Sequence, residues 1–159
     1  MLVFDASSII YAWDNYPIEM FPTLWDWLAA EITSGRLAIP EVAYDEVEHR
    51  SPECHAWLQD AEIPVIDVEE ATLLMAAAIK ELLGIQGDAY HADGVGENDL
   101  LIIACASVHG HSLISDERKQ VTLPNLMKRF KIPAVCNHAH VRVVCLNFLA
   151  FIKSSNVVF

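Results

Sequence analysis

Residues 96–117, GENDLLIIACASVHGHSLISDE, decide how this chain is read. Glu97 to Val108 reads as a helix, with Asp99 in its first turn, where the helix dipole favours a carboxylate. Gly110 sits at the helix end, flanked by His109 and His111, and His111 to Ser115 then reads as a strand. Asp116 follows directly. A helix that runs into a short apolar strand with an acid just beyond it is the repeating unit of an α/β sheet.

The same strand-then-acid unit opens the chain, where Met1 to Phe4 is a short buried strand ending in Asp5. A helix opens over Ser7 to Trp13, and Ser7 or Ser8 is placed to cap it. Between the two units, short apolar runs alternate with helical patterns. In Ile18 to Ser34, Met20, Leu24, Trp27, Leu28 and Ile32 recur at helical spacing, and Gly35 closes the segment. Leu37 to Ile39 is a second strand, Glu41 to His49 a helix, and a helix started by Pro52 continues to Gln59. Pro64 to Val68 is a short strand or an extended link, Ala71 to Leu83 a strong helix, and 86–96 a loop. Beyond Asp116 the pattern predicts a helix over Leu123 to Phe130, a last strand over Val141 to Leu146, and a short closing helix. With no repeat or long linker, the expectation is one domain over 1–159, α/β in class, with a mostly parallel sheet.

Composition narrows the function classes. Hydrophobic residues make up 53% and charged residues 20%, which excludes a disordered chain. No apolar run reaches the roughly 18–20 residues that span a bilayer, so no membrane partner is expected. The opening MLVFDASSII is too short, and acidic too early, for a secretory signal, and the expected location is the cytoplasm. Cys54, Cys105, Cys136 and Cys145 are read as reduced, Cys105 as a small buried thiol in LLIIACASV. The net charge of −12, from 22 acids against 10 bases, argues against a general nucleic-acid coat protein. It leaves room for an enzyme whose acids gather in one cleft, where a bound cation inverts the local field, and it suits a basic partner protein.

Asp5 and Asp116 sit where open α/β sheets place ligands, just past the strand ends. Each has a plainer reading as a solvated turn residue. Asp99 has one as a dipole-favoured first-turn acid, and Asp45, Glu46 and Glu48 as a solvated helix face. Glu46 differs from its neighbours by sharing a face with Val42, four residues earlier. Carboxylates without His or Cys suit hard cations, Mg²⁺ or Mn²⁺. Such ions activate water and neutralise an in-line phosphoryl displacement, so phosphodiester hydrolysis is the natural reaction class.

Four motifs in order then resemble PIN-domain ribonucleases, including the VapC-like toxins of toxin–antitoxin pairs. DASSII at Asp5 looks like the opening strand with its Asp and a hydroxyl residue two on, Ser7. IPEVAYDEV looks like the second motif, whose glutamate falls on Glu46. DLLIIACA looks like the third, Asp99 followed by Ala104 and Ala106, and HSLISDE like the fourth, Ser115 then Asp116. KIPAVCNHAHVRVVCLNFL resembles the closing helix and last strand, and NYPIEMFPTLWDWLAAEITSGR a subgroup with a Phe-Pro and Trp-rich first helix.

The resemblance implies a three-layer α/β/α sandwich with Asp5, Glu46, Asp99 and Asp116 as catalytic, metal-holding acids. It implies Ser7 and Ser115 as hydrogen-bonding groups, RNA as substrate, an antitoxin protein across the cleft, and a homodimer. The chain departs from the pattern in offering Asp93 and Glu97 as further candidate metal ligands beside Asp99, which alone has the alanine spacing. Bases are few, and Arg118 and Lys119 are the best-placed phosphate contacts.

Competing constellations are weaker. Cys136, His138, His140 and Cys145 have a loose zinc-like spacing, but the set runs into a strand. Trp13, Trp25, Trp27 and Trp57 read as core and interface rather than as a base-stacking platform, with one of Trp25 and Trp27 expected to be exposed or at an interface. No phosphate-binding glycine loop and no G-x-S-x-G elbow is present. DASS also resembles the opening of haloacid-dehalogenase-type phosphatases, whose second Asp is replaced here by Ser7. A non-catalytic interaction module is the remaining alternative.

Overall fold

The computed structural model describes residues 1–159. Five strands, β1 (Leu2–Phe4), β2 (Leu37–Pro40), β3 (Val65–Ile66), β4 (Ser112–Ile114) and β5 (Cys145–Leu146), form one sheet in the order β3-β2-β1-β4-β5. Every neighbouring pair is parallel, with Val3 opposite Ala38 on one side and Leu113 on the other. Successive residues of a strand point to opposite faces. Val3, Phe4, Leu37, Ala38, Ile39, Leu113 and Ile114 are nonetheless all fully buried. Both faces of the sheet are therefore covered, and the fold is the three-layer α/β/α arrangement that an all-parallel sheet requires.

The covering layers are α1 (Ala6–Asn15), α2 (Pro22–Thr33), α3 (Glu41–Arg50), α4 (Pro52–Asp60), α5 (Glu70–Leu82), α6 (Glu97–Val108), α7 (Ile132–Cys136) and α8 (Phe148–Ser155). None is long and apolar enough to cross a membrane. Strand β4 is set by the way α6 stops. Gly110 takes φ +63, so the amide of His111 reaches back to the Ala106 carbonyl at 2.8 Å and that of Gly110 to Ser107 at 3.2 Å. This paired closure satisfies the last carbonyls of the helix and turns the chain directly into the sheet.

Four expectations are corrected. Neither Ser7 nor Ser8 caps α1, which starts at once at Ala6 after Asp5. Helix α2 starts at Pro22 rather than at Ile18, because a residue before proline is pushed out of the helical region and Phe21 sits at φ −126, ψ 48. The segment Leu123 to Phe130 keeps only one 3-10 turn, Met127–Arg129. Of its apolar residues only Phe130 reaches the core: Leu123, Leu126 and Met127 are exposed, and Pro124 supplies no amide hydrogen. Gln120 holds the segment instead, donating to the Arg129 carbonyl at 3.0 Å and accepting from the Lys131 amide at 2.9 Å. The last strand shrinks to Cys145–Leu146 because Val141 and Arg142 turn back on the His138 carbonyl, Arg142 at φ +54.

The tryptophans are interior residues. Trp25 is 1% exposed, donates its indole hydrogen to the Tyr16 carbonyl at 2.7 Å, and meets Trp13 and Trp57 edge-on. Trp27 is half-buried under Phe151 and Phe159, so the protein's own C-terminal segment covers the residue expected at an interface. All four cysteines are free.

Candidate active site

The chain steps outward from β1 to β2 and β3, then returns to the far side of β1 for β4. Strand order thus reverses between β1 and β4, and a crevice opens beyond the C-terminal ends of strands at such a point. Asp5 leaves β1 and Ser115 leaves β4 at this place. The Asp5 amide donates to the Ile114 carbonyl at 2.8 Å, and Ser8 Oγ, fully buried, lies within 2.8 Å of the Asp5 carbonyl and 2.7 Å of the Ile114 carbonyl. The two strand ends are pinned together by these bonds.

The Asp5 side chain is 3% exposed. Its Oδ2 accepts from Ser115 Oγ at 2.8 Å and from Ser7 Oγ, and Ser7 Oγ in turn accepts from the Asp116 amide at 3.1 Å. Burial raises the Asp5 pKa, the two serine hydrogen bonds oppose that, and the charges of Glu46 and Glu117 raise it further. Asp99, in the first turn of α6, accepts the Gly96 amide at 2.8 Å. Its pKa is pushed up to about 6, chiefly by burial, then by Glu117, Asp5 and Glu46, against the pull of the Gly96 bond. Asp5 and Asp99 therefore both feel the charges of Glu46 and Glu117 across the crevice, and Asp99 that of Asp5 as well.

Glu46 and Glu117 form the more open side of the crevice. Helix phase selects Glu46: it is half-buried on α3 while Asp45 and Glu48 point to solvent. Arg50, one turn on, donates to it at 2.6 Å. Glu117 Oε2 accepts the Ile132 amide at the start of α7 at 2.8 Å, and its Oε1 lies 3.9 Å from Lys131 Nζ.

The other candidates are not among the main charges felt by Asp5 and Asp99. Asp116 accepts the Phe148 amide at 3.0 Å, satisfying an orphan donor at the start of α8, and its charge is felt by Tyr16. Asp93 is 64% exposed and paired with Arg129 at 3.2 Å, and Glu97 is exposed on α6. Arg118 and Lys119 are exposed just beyond Glu117, in no ion pair. Glu117, which the sequence reading does not single out, has no mark of its own in the local sequence. Beyond β4 the chain bends, with the Asp116 amide on Ser7 Oγ at 3.1 Å and the Glu117 amide on Ser115 Oγ at 3.3 Å, so both hydroxyls of the Asp5 site also hold this turn.

The donor chemistry of Asp5, Glu46, Asp99 and Glu117 is oxygen alone, which matches a hard divalent cation. Burial first, and neighbouring carboxylates second, raise the Asp5 and Asp99 carboxyls, a cost that a bound cation would offset. As placed, no three acids, histidines or cysteines approach closely enough to share an ion, either here or at Cys136, His138, His140 and Cys145.

A family model described as a domain of unknown function (DUF4411) matches residues 2–159. No curated protein matches the sequence. Among solved structures, VapBC2 from Rickettsia felis bound to a DNA fragment from its promoter aligns with a TM-score of 0.55 at 16% identity, over 92% of this chain and 97% of that one. DNA-bound VapBC from Salmonella typhimurium aligns with a TM-score of 0.53 at 17% identity, over the same shares, 92% and 97%. At such identities the likeness is one of fold, and it agrees with the PIN-like α/β architecture.

Proposed function

The chain belongs to the family described as a domain of unknown function (DUF4411), and from that premise we propose that it is a metal-dependent endoribonuclease. The observation that carries the reading is the meeting of Asp5, Glu46, Asp99 and Glu117 in one electrostatic neighbourhood at the strand-order reversal. Asp5, Asp99 and Glu117, drawn closer together than they stand in the structure, would hold the cation, Mg²⁺ or Mn²⁺, and Glu46 would complete the set. When bound, such an ion supplies an activated water and neutralises charge in phosphodiester hydrolysis.

The chain's own groups then have distinct tasks. Ser7 and Ser115 hold the Asp5 carboxylate in one orientation and favour its ionised form. Glu46, 27% exposed and steadied by Arg50, is the acid best placed to accept a proton from water entering the crevice. Arg118 and Lys119 offer unpaired cations to the RNA backbone beside Glu117.

In the wider setting we read the protein as the toxin of a toxin–antitoxin pair, working as a homodimer and silenced by an antitoxin protein lying over the crevice. Two solved structures of similar fold are VapBC assemblies on DNA, and the net charge of −12 suits a basic inhibitor.

The test is RNA cleavage by purified protein with Mn²⁺, beside Asp5→Asn and Glu117→Gln. Cleavage by the wild type that both variants lose is expected. Equal cleavage by all three would assign the activity to a contaminant. A protein that neither cuts RNA nor gains melting temperature with Mn²⁺ would be a binding module on a nuclease fold.

A further inference from the structure

Five of the ten basic residues are engaged with an acid or an aromatic ring. Arg36, Arg50, Arg129 and Lys131 are in ion pairs, and Lys80 lies 4.9 Å over the Tyr90 ring. Two of the unpaired ones, Lys119 and Arg142, line the same cavity of about 630 Å³, between the loop after β4 and the wall made by α7 and the approach to β5. No carboxylate lines it, in a chain whose net charge is −12. The volume is that of a small-ligand site.

The Arg142 guanidinium is held by the backbone. Arg142 adopts φ +54, a conformation unusual for a side-chain-bearing residue, and its Nε donates to the Ala139 carbonyl at 2.7 Å. That bond leaves the two terminal nitrogens of the guanidinium free for a planar bidentate contact. Lys119 follows Glu117 by two residues, in a loop fastened by the two Gln120 bonds. Asn137, at the end of α7, has a side-chain amide with no partner in the protein, and Leu123, Pro133 and Val144 give an aliphatic surface beside it.

The cavity adjoins the carboxylate crevice through α7. The first amide of this helix bonds to Glu117 Oε2 at 2.8 Å, while its last residue, Cys136, lines the cavity. Five residues of helix span about 7.5 Å, so crevice and cavity lie on a path that one strand of nucleic acid can follow.

We propose that this cavity is a nucleotide subsite for single-stranded RNA next to the scissile bond, with Lys119 and Arg142 on a backbone phosphate and Asn137 on a base edge. The assignment rests on the nuclease reading and adds where the strand lies. With no aromatic residue in the wall, the base is held by its edge and by aliphatic packing rather than by ring stacking.

The experiment is binding of a short fluorescent single-stranded RNA to Asp5→Asn protein without divalent metal, followed by anisotropy across a salt series. Adding Arg142→Gln or Lys119→Gln in that background is expected to weaken binding roughly 3- to 10-fold and to flatten the log–log salt slope by about 0.7 per lost phosphate contact. Arg142→Gly guards against a folding artefact, since glycine accepts the positive φ without strain while removing the same charge. Unchanged affinity and slope in Arg142→Gly and Lys119→Gln would overturn the subsite, even if the wild type cuts RNA. Weakened binding in a protein that shows no metal-dependent cleavage would uphold the subsite and remove the nuclease reading instead.

Discussion

Ser115 Oγ donates to Asp5 Oδ2 at 2.8 Å, joining two residues 110 positions apart across the seam between β1 and β4. Burial alone drives the Asp5 carboxyl toward its protonated form, and this bond with that from Ser7 is what opposes it. The charge of Asp5, at the end of one strand, thus depends in part on a hydroxyl supplied from the end of its neighbour.

Replacing that hydroxyl, as Ser115→Ala, leaves Asp5 with one side-chain donor. The Asp5 pKa then rises, and because only the ionised form serves, the acidic limb of the pH–rate profile moves to higher pH. RNA cleavage near neutrality is expected to fall by ~10- to 100-fold, the range for losing a group that orients a metal-holding residue. Ser115→Thr keeps the hydroxyl and should recover most of the activity. A profile superimposable on the wild type would show that Ser115 does not set the state of Asp5.

Asp99 makes a prediction about stability. Its folded pKa, about 6, lies above the ordinary carboxylate value of 3.8. A group raised on folding adds stability that is complete below its unfolded pKa and lost as pH climbs through its folded one. The metal-free protein should therefore melt higher near pH 4.5 than at pH 7, as far as this residue contributes. At about 1.4 kcal/mol per pKa unit, ionised Asp99 costs the folded state on the order of 2–3 kcal/mol at pH 7. Asp99→Asn, whose amide oxygen still accepts from Gly96, should raise the pH 7 melting temperature and lose that advantage near pH 4. Mn²⁺ should stabilise the wild type at pH 7 and the variant less. Thermal melts at the two pH values, with and without metal, decide it; a variant less stable than the wild type at pH 7 would be contrary.

The adjacent acids Asp116 and Glu117 are separable by experiment. Glu117→Gln keeps an oxygen for the Ile132 amide but removes the charge that reaches Asp5 and Asp99, and cleavage should drop by ~10- to 100-fold with little change in melting temperature. Asp116→Asn keeps an acceptor for the Phe148 amide and should retain activity within a few-fold. Asp116→Ala should instead cost roughly 1 kcal/mol of stability, as a lost helix-start acceptor does. If Asp116→Asn abolished cleavage while Glu117→Gln left it intact, the roles assigned to the pair would be reversed.

What the sequence made legible follows how local each signal is. Asp5, Glu46 and Asp99 carry marks within a few residues: a strand end, a helix face shared with Val42, a first turn. The parallel sheet was readable for the same reason, since apolar runs and the Gly110 stop act over short range. Choosing between Asp116 and Glu117 depends on the direction in which the chain leaves β4, which is set by the Asp116 amide bonding to Ser7, 109 positions away. Leu123, Leu126 and Met127 imitate a helix face, and only the fold shows that nothing covers them. The left-handed turn at Arg142 has no local signature either, because an arginine there is held by its surroundings and not by its own preference.

Gly94 gives a last prediction, on how the two acid-bearing loops are kept in register. A methyl group at this position would lie 2.0 Å from the Lys128 carbonyl oxygen and 3.0 Å from the Arg129 Cα, backbone atoms that cannot swing aside. The contact is close because the loop before α6 is zipped to the loop after β4: the Val95 amide donates to the Phe130 carbonyl at 2.9 Å, and Arg129 meets Asp93 at 3.2 Å. Five residues past Gly94 lies Asp99, and the opposite loop starts from Glu117. Gly94→Ala must push these loops apart, at a cost of about 1–3 kcal/mol, the usual penalty for overpacking. For a chain of this size that lowers the melting temperature by roughly 2–4 °C per kcal/mol. Because the displacement acts between Asp99 and Glu117, RNA cleavage should fall further than stability accounts for at a temperature where the variant is folded. Ala92→Ser, at an exposed position in the same loop, should change neither. A Gly94→Ala protein with wild-type melting and wild-type cleavage would mean that the loops are not locked by this contact.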